Sequence, residues 1–518
     1  MKFKDLFKRS TAMPTTVVEG PSRVPRVSRN PIRRGTRSFD AGKTDRFTSN
    51  WTTTPLTADQ VVDRNHRTLV ARSREQAAKN DYMKSFVRLC RQNIVGHKGI
   101  ILQAQSRDQN SGLDRGANDA IEVAFRDWSR GVNCDVKGQR SFRRLCQTAI
   151  NTAAVDGEYM FREIVGSEAG PYGYALQVLD PMRCPVDLNQ DNMPGGRMIR
   201  QGIEYSRAGR PLAFYFISEE QAEFAYSNGG RNFARIPAEE IIHGFREDMV
   251  GQRRGLPWAA TSLWRMNMLG EFEKAALTNA RIGASQQGFF EWAENEGPEE
   301  DEDDFDEEYF LDVEPGSWQE LPPGLRSKEV QSQYPNGEFH PFHKAMLRGA
   351  GAGMGVAYVS LANDLEGVNF SSIRQGVLDE REHWMDLQEW LIETLIERVY
   401  LSWLKQALLR RKIPAGSGYL KPANIAKFKA VLWQARRWSW IDPVKDVKAA
   451  VEQKNNLLTS PSEIIRASGK DPAATWRTWS DDIKAMQDAG IPDQFITAAV
   501  LGAAQPEVTE APNEEGTD

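Results

Sequence analysis

The chain has 518 residues, 40% hydrophobic and 26% charged, so core size does not limit folding and two to four domains are expected. A formal net charge of −5 and a pI near 5.9 argue against a surface that grips nucleic acid throughout, but leave room for weak contact in a confined place. The four cysteines, Cys90, Cys134, Cys146 and Cys184, form no C-x-x-C pair and do not suggest a disulfide framework, as expected of a protein kept in a reducing cytoplasm.

Residues 1–57, with stretches such as "RVPRVSRNPIRRGTRS", read as a basic, largely disordered arm. The N-terminus lacks the apolar core of a signal peptide, and no uncharged apolar run approaches membrane-spanning length. From Ala58 to about Val95 the periodicity is helical, with Tyr82, Phe86, Leu89 and Cys90 on one face and Gly96 ending the run. "GIILQAQ" reads as a strand. Helices are expected over about 112–131, with Ile121, Phe125 and Trp128 as the apolar stripe, and over about 141–154. "GEYMFREIV", "YALQVLDPMRC" and "GRMIRQGIEYSRAGRPLAFYFIS" are β segments, and Gly209-Arg210 between two alternating runs suggests a hairpin. "ARIPAEEIIHGF" closes an α+β unit.

Pro257 fits the first turn of an Ala-rich helix of about 30 residues, roughly 45 Å long. Its small residues, Gly270 and Gly283 among them, permit close lateral neighbours. A dense acidic run, Glu299 to Glu308, follows. It reads as a solvated loop or as a docking surface for a basic partner, and it lacks the spacing of a calcium loop. A second helix is expected from Pro341 to Met354.

That helix leads into "GAGAGMGVAYVSLANDLEGVNFSSIRQG". The glycines at 349, 351, 353 and 355 do not make a dinucleotide loop, because the third glycine position falls on Met354 or Val356 and the preceding segment reads as helix. Such glycines let a helix end and its neighbours approach closely. Ser372-x-x-Gln375 resembles a capping box opening a helix to about Arg411, near 40 residues or roughly 60 Å, which implies an elongated subunit. Ser460-Pro461-Ser462-Glu463 is a second capping box, in a small helical C-terminal unit, and the chain turns acidic from about Gly502.

Chemistry-bearing motifs are missing. "ASGKDP" has Asp471 where a phosphate loop needs Ser or Thr, and neither H-E-x-x-H nor G-x-S-x-G occurs. His340 and His343 read as hydrogen-bonding histidines rather than a metal pair. No catalytic residue, metal site or cofactor is expected, and the chain reads as a non-enzyme.

The order and spacing of "NIVGHKGIILQA", "DGEYMFREI", "LQVLDPMRC", "GIEYSRAGRPLAFYF", "RIPAEEIIHGFREDMVGQRRGLPWAATSL", "GVAYVSLANDLEGVNFSSIRQG" and "WIDPVKDVKAA" resemble a lambda-type tailed-bacteriophage portal protein from about Ala58 to Gln487. The chain departs from the usual pattern at Ala357-Tyr358, where a Pro-Tyr pair is common, and at Phe370, where Tyr is. The resemblance implies a helix-rich α+β, elongated portal fold with wing, two-helix stem, clip and helical crown. It implies a ring of twelve subunits around a DNA channel at one capsid vertex, assembled in the bacterial host cytoplasm. Terminase, head-completion or adaptor proteins, major capsid and scaffold proteins, and double-stranded DNA held non-specifically are the implied partners. No membrane is expected. Another head–tail connector ring and an unrecognised nucleic-acid enzyme are the alternatives.

On this frame the expected parts are a basic arm (1–57), a wing (58–248), a first stem helix (249–288) and a clip (289–340). A second stem helix (341–356), a tunnel loop (357–371) and a long wing helix with its following segment (372–437) come next. A crown (438–501) and an acidic tail (502–518) end the chain. Tyr358, Val359, Leu361, Asp364, Leu365 and Glu366 are the expected channel residues, hinged at Gly353 and Gly355. Leu361 and its apolar neighbours would pack loop on loop or brush the duplex, and Asp364 and Glu366 would repel phosphates. Glu299, Glu300, Asp301, Glu302, Asp303 and Asp304 are the expected docking acids of the clip.

Overall fold

Thr57 starts the first helix by a reciprocal cap. Its hydroxyl accepts from the Gln60 N–H, and the Gln60 side chain accepts from the Thr57 N–H. Helix α1 (Ala58–Lys79) ends at Asn80, whose extended backbone breaks the run and whose side chain caps α2 (Asp81–Cys90). The helical stretch expected over 58–95 is therefore two helices, the second continuing through a π segment, Arg91–Val95, to Gly96.

The computed structural model describes residues 46, 49–50, 52–108, 112–218, 232–284, 288–292, 325–329, 339–366, 370–438 and 443–496. The chain divides into units Met1–Leu56 and Thr57–Asp518, and every described helix and strand lies in the second.

Strand β1 (Ile101–Ala104) is followed by α3 (Arg115–Trp128), a short α4 (Gly131–Cys134) and α5 (Phe142–Asp156). Two antiparallel sheets come next. In one, β2 (Glu158–Val165) lies between β3 (Tyr174–Leu179) and β9 (Ile241–Phe245). The other is a meander of β4 (Gln190–Met193), β5 (Arg197–Arg200), β6 (Ile203–Tyr205), β7 (Pro211–Phe216) and β8 (Ala234–Pro237). The β6–β7 hairpin turns at Gly209, with φ +81°. Met160, Leu179, Ile203, Phe214, Phe216 and Ile241 form a small core shared by the two sheets.

Helix α6 spans Leu263–Ala284, so Pro257 is not in its first turn. Residues 257–262 instead make successive turns, because the backbone before them is committed elsewhere. Trp258 N–H donates to the Ala154 carbonyl, and Gly255 lies against Gly157. Strands β10 (Gly288–Trp292) and β11 (Leu325–Glu329) pair antiparallel. Helix α7 covers Phe339–Met354, and a short α8 covers Tyr358–Ala362.

Helix α9 (Phe370–Leu391) runs through a π segment, Ile392–Ile396, into α10 (Glu397–Leu409), 40 residues in all. It starts two residues before Ser372, so that capping-box match lies inside the helix; a four-residue match does not by itself fix a helix start. Its buried stripe, Trp384, Leu387, Leu391, Leu395, Val399, Trp403 and Leu408, is the spine of the main core. Around it Phe125 meets Trp128, Phe142, Tyr400, Trp403 and Trp433 with ring centroids 5.0–6.0 Å apart.

Three further elements follow: a tiny hairpin of β12 (Pro414–Ala415) and β13 (Gly418–Tyr419), a helical turn α11 (Ile425–Phe428), and β14 (Val431–Gln434). β14 pairs with β1, so the α+β core expected to end near 248 closes only with residues beyond 400. Helices α12 (Pro443–Asn455), α13 (Pro461–Ala467) and α14 (Pro472–Asp488) follow, with Ser460 and Glu463 forming the expected capping box.

No helix among the described residues is long and apolar enough to cross a membrane, and none of their acidic, His or Cys side chains cluster as a metal site. All four cysteines are buried and free.

Candidate functional site

The four alternate glycines divide between two tasks. Gly349 and Gly353 lie one turn apart on α7 and face the start of α6. A Cβ at Gly353 would sit 2.4 Å from Ser262 Oγ and 2.9 Å from Thr261 Oγ1, and one at Gly349 would meet the Arg265 guanidinium. The hydroxyls of Ser262 and Thr261 donate to the Ala350 and Gly353 carbonyls at 2.9 and 3.3 Å. Small residues here let α6 and α7 touch backbone to side chain.

Gly355 ends the helix. It has φ +70°, its N–H donates to Ala352 O, and Val356 N–H donates to Gly351 O, a Schellman closure. Of the two expected hinge residues, Gly353 lies within a helix beside Thr261 and Ser262, and Gly355 is where the chain changes direction.

The segment after it is not an open loop. Tyr358–Ala362 form a helical turn, Asn363 adopts φ +54°, and 367–369 lie outside the described residues. Leu361 points into the main core, only 2% exposed, so its expected contact with a neighbouring loop or with DNA is not available in this arrangement. Burying it costs less than exposing it beside α2 and α7.

Asp364 is held by three donors. The Tyr358 hydroxyl donates to Oδ2 at 2.7 Å, Lys344 Nζ lies 3.2 Å from the same oxygen, and the Glu366 N–H donates to Oδ1 at 2.9 Å. The Tyr358 hydrogen bond first, then the backbone N–H and Lys344, hold its carboxyl down to about 2. Burial and the neighbouring Asp364 push the Tyr358 phenol up to about 12. Lys344 and Arg348 lie 5.5 and 5.7 Å from the Tyr358 ring centroid. Ser360 donates to Glu380 of α9 at 2.7 Å, and burial raises the Glu380 carboxyl. Val359 is half-buried, leaving Asn363, Leu365 (67% exposed) and Glu366 as the outward face.

His343 behaves as the sequence suggests. Its Nε2 meets Glu273 of α6 and, at 3.2 Å, the Tyr82 hydroxyl of α2. Acids 299–304 lie outside the described residues.

Sequence reasoning missed a buried ion pair elsewhere in the fold. Glu158 opens β2 and Arg254 precedes the turns leading to α6; neither is exposed to solvent. Arg254 donates to Glu158 through Nη2, 2.6 Å from Oε1, and through Nε at 2.8–2.9 Å, while Nη1 reaches the Cys184 and Gln201 carbonyls and Nη2 the Pro181 carbonyl at 2.8–3.1 Å. His243 Nε2 lies 2.8 Å from Glu158 Oε2, and the buried His66 ring lies 3.6 Å from Oε1. Burial alone would raise the Glu158 carboxyl, but the Arg254 charge and the His243 contact hold it well below the usual range. Gly157 and Gly255 make the approach possible: a Cβ at Gly255 would sit 2.0 Å from the Gly157 carbonyl oxygen. The only sequence signal was a charge inside an otherwise apolar strand, "GEYMF".

These features describe a helix-rich α+β subunit with two helices clamped by glycines and no catalytic constellation among the described residues. The chain belongs to the lambda family of phage portal proteins, whose model matches residues 44–388. Members are structural proteins, not enzymes. The chain is 32% identical to a probable portal protein of Halomonas phage phiHAP-1, covering 93% of this chain and 94% of the relative. It is 21% identical to portal protein B of Escherichia phage lambda, covering 74% and 76%. Among solved structures, it resembles a chain from the neck of a native gene transfer agent particle computed with C12 symmetry. That match has a TM-score of 0.43 and 14% identity, covering 78% of this chain and 94% of the other.

Proposed function

We propose that this portal protein forms a ring of about twelve subunits at one capsid vertex, with α6 and α7 as a stem and 357–371 on the wall of a DNA channel. The observation that carries this reading is the apolar surface that α6 and α7 leave exposed. Trp264 (75% exposed) and Met268 lie one turn apart on the side of α6 away from buried Met266, Leu277 (73% exposed) lies on a different side further along the helix, and Phe342 of α7 packs on Phe272 while remaining exposed. Large apolar side chains exposed on more than one side of a glycine-clamped helix pair fit a ring, in which each subunit has a neighbour on both flanks.

Trp292 and Leu325, the described residues on either side of 293–324, lie opposite each other in the β10–β11 pair. We assign the acids 299–304 there to docking terminase during packaging and head-completion proteins afterwards, with capsid and scaffold proteins meeting the ring elsewhere. Leu365 and Glu366 meet passing DNA, Glu366 keeping phosphates from binding tightly enough to stall. The virion is then the site of action, and the host cytoplasm the site of assembly.

The test is the mass and shape of the purified protein. Light scattering near 0.7 MDa, for about twelve copies of the 58.4 kDa chain, and rings in negative stain are expected. Trp264→Asp and Leu277→Asp should reduce the ring population while leaving the circular dichroism of the subunit intact. A monomer that forms no ring even with scaffold present sinks the reading.

A further inference from the structure

At the edge of the main core, α3 borders a cleft that the channel reading does not use. Val123, Ala124, Arg126 and Arg130, with Tyr172, Lys412 and Pro414, line a cavity of about 460 Å³. Its floor is apolar: Val123 is 62% exposed, and Ala124, Tyr172 and Pro414 complete it. The short helix α4 and the turn after it expose Val132 and Val136 as well.

The rim is cationic. Arg126 and Arg130 flank one side, and Arg410, Arg411 and Lys412, all exposed, follow α10 on the other. Gly173, with φ +68°, leaves room for the Arg410 side chain beside Tyr172; a Cβ there would sit 1.9 Å from Arg410 Nε. The one acid of the lining, Asp127, is already occupied. It accepts from the Tyr172 hydroxyl at 2.9 Å and lies 3.4 Å from Arg130. Arg126, Arg410, Arg411 and Lys412 make no salt bridge with a described acid. A chain of net charge −5 thus gathers five cations around an apolar hollow, of which only Arg130 forms a salt bridge with a described acid.

We propose that this cleft docks an acidic peptide segment of another protein, with one bulky apolar side chain in the hollow and carboxylates on the flanking Arg and Lys. Charge complementarity names the sign of the partner, and the apolar floor names its class. A nucleic-acid backbone would satisfy the cations but has no apolar side chain to place on Val123, Ala124 and Pro414. The cavity volume lies within the usual range for a built binding site.

The experiment uses the full chain and a fluorescein-labelled dodecapeptide of Glu and Asp with one central Leu, read by fluorescence anisotropy. Saturable binding that weakens with salt is expected. Arg126→Glu and Lys412→Glu, both at exposed positions, should each weaken it by about tenfold or more, and Lys84→Glu on α2 should not. Replacing the peptide's Leu with Ser should weaken it by a similar factor, about tenfold. Thermal melting confirms that the variants stay folded. Absence of saturable binding, or equal binding of the Leu and Ser peptides, overturns the proposal. So does equal competition by a short DNA duplex of the same charge, which would make the cleft a phosphate surface instead.

Discussion

Arg254 donates to Glu158 and to three backbone carbonyls, and neither side chain is reached by water. Removing the cation would leave a carboxylate stranded beside His243. Arg254→Leu is therefore expected to destabilise the subunit by about 3–5 kcal/mol, read as a shift in the urea midpoint. The Glu158→Leu, Arg254→Leu pair should cost less than the sum of the single changes, because neither charge is then left alone.

Asp364, near the surface, makes a pH-dependent contribution. Its folded-state pKa, about 2, lies below the ordinary value near 3.9. The stabilisation is thus complete above about pH 4 and is lost as the pH falls toward 2. Amide protection factors across 358–366, which divide out the intrinsic pH dependence of exchange, should fall through that window. Asp364→Asn should show the faster exchange already at pH 7, and an unchanged rate in the variant would mean the contacts to Tyr358 and Lys344 do not hold the segment.

At the scale of elements, the glycines of α7 predict an order of effects. Gly353→Ala places a methyl against Ser262 and Thr261, an overpacking cost of about 1–3 kcal/mol set against a gain of about 0.5–1 kcal/mol for removing a helical glycine, so a net loss is expected. Gly355→Ala puts a side chain at φ +70°, a cost of about 1–2 kcal/mol, and also crowds His383, 3.0 Å from the added carbon. Gly376 in α9 has no atom within 4 Å of the added carbon, so Gly376→Ala should stabilise by about 0.5–1 kcal/mol. Melting temperatures of the three variants give the comparison. A Gly353→Ala protein as stable as the parent would mean α6 and α7 are not clamped there. The glycine run announced a close approach in the sequence, but not its partner. That Gly349 and Gly353 serve α6 while Gly355 serves the turn depends on which face of α7 the rest of the chain covers.

For the whole molecule, Glu366 offers a cleaner probe of the channel than Asp364, whose carboxylate is already paired within the subunit. Glu366→Lys adds one cation per subunit on the exposed face. If 357–371 lines the channel, symmetry multiplies that cation around the ring. Packaging should then slow and become more salt-sensitive, by a slope of about 0.9 for each phosphate newly neutralised. Packaged DNA per particle at low and high salt measures it, and parental behaviour at both would place the segment away from DNA.

The sequence by itself determined the helices and strands with strong periodicity, the Ser460 cap, the lack of enzyme motifs and, through the order of its motifs, the family. All of these are written in neighbouring residues, where backbone hydrogen bonding and side-chain period act over a few positions. Only the tertiary structure decided that β1 pairs with β14 and that α9 and α10 form the core's spine. It also decided that Leu361 turns inward, and that Glu158 and Arg254 meet in a dry interior. Those outcomes depend on which distant surfaces exclude water together. A charged residue in an apolar strand, or one leucine among the apolar residues of a short turn, carries no local mark of the partner that will bury it.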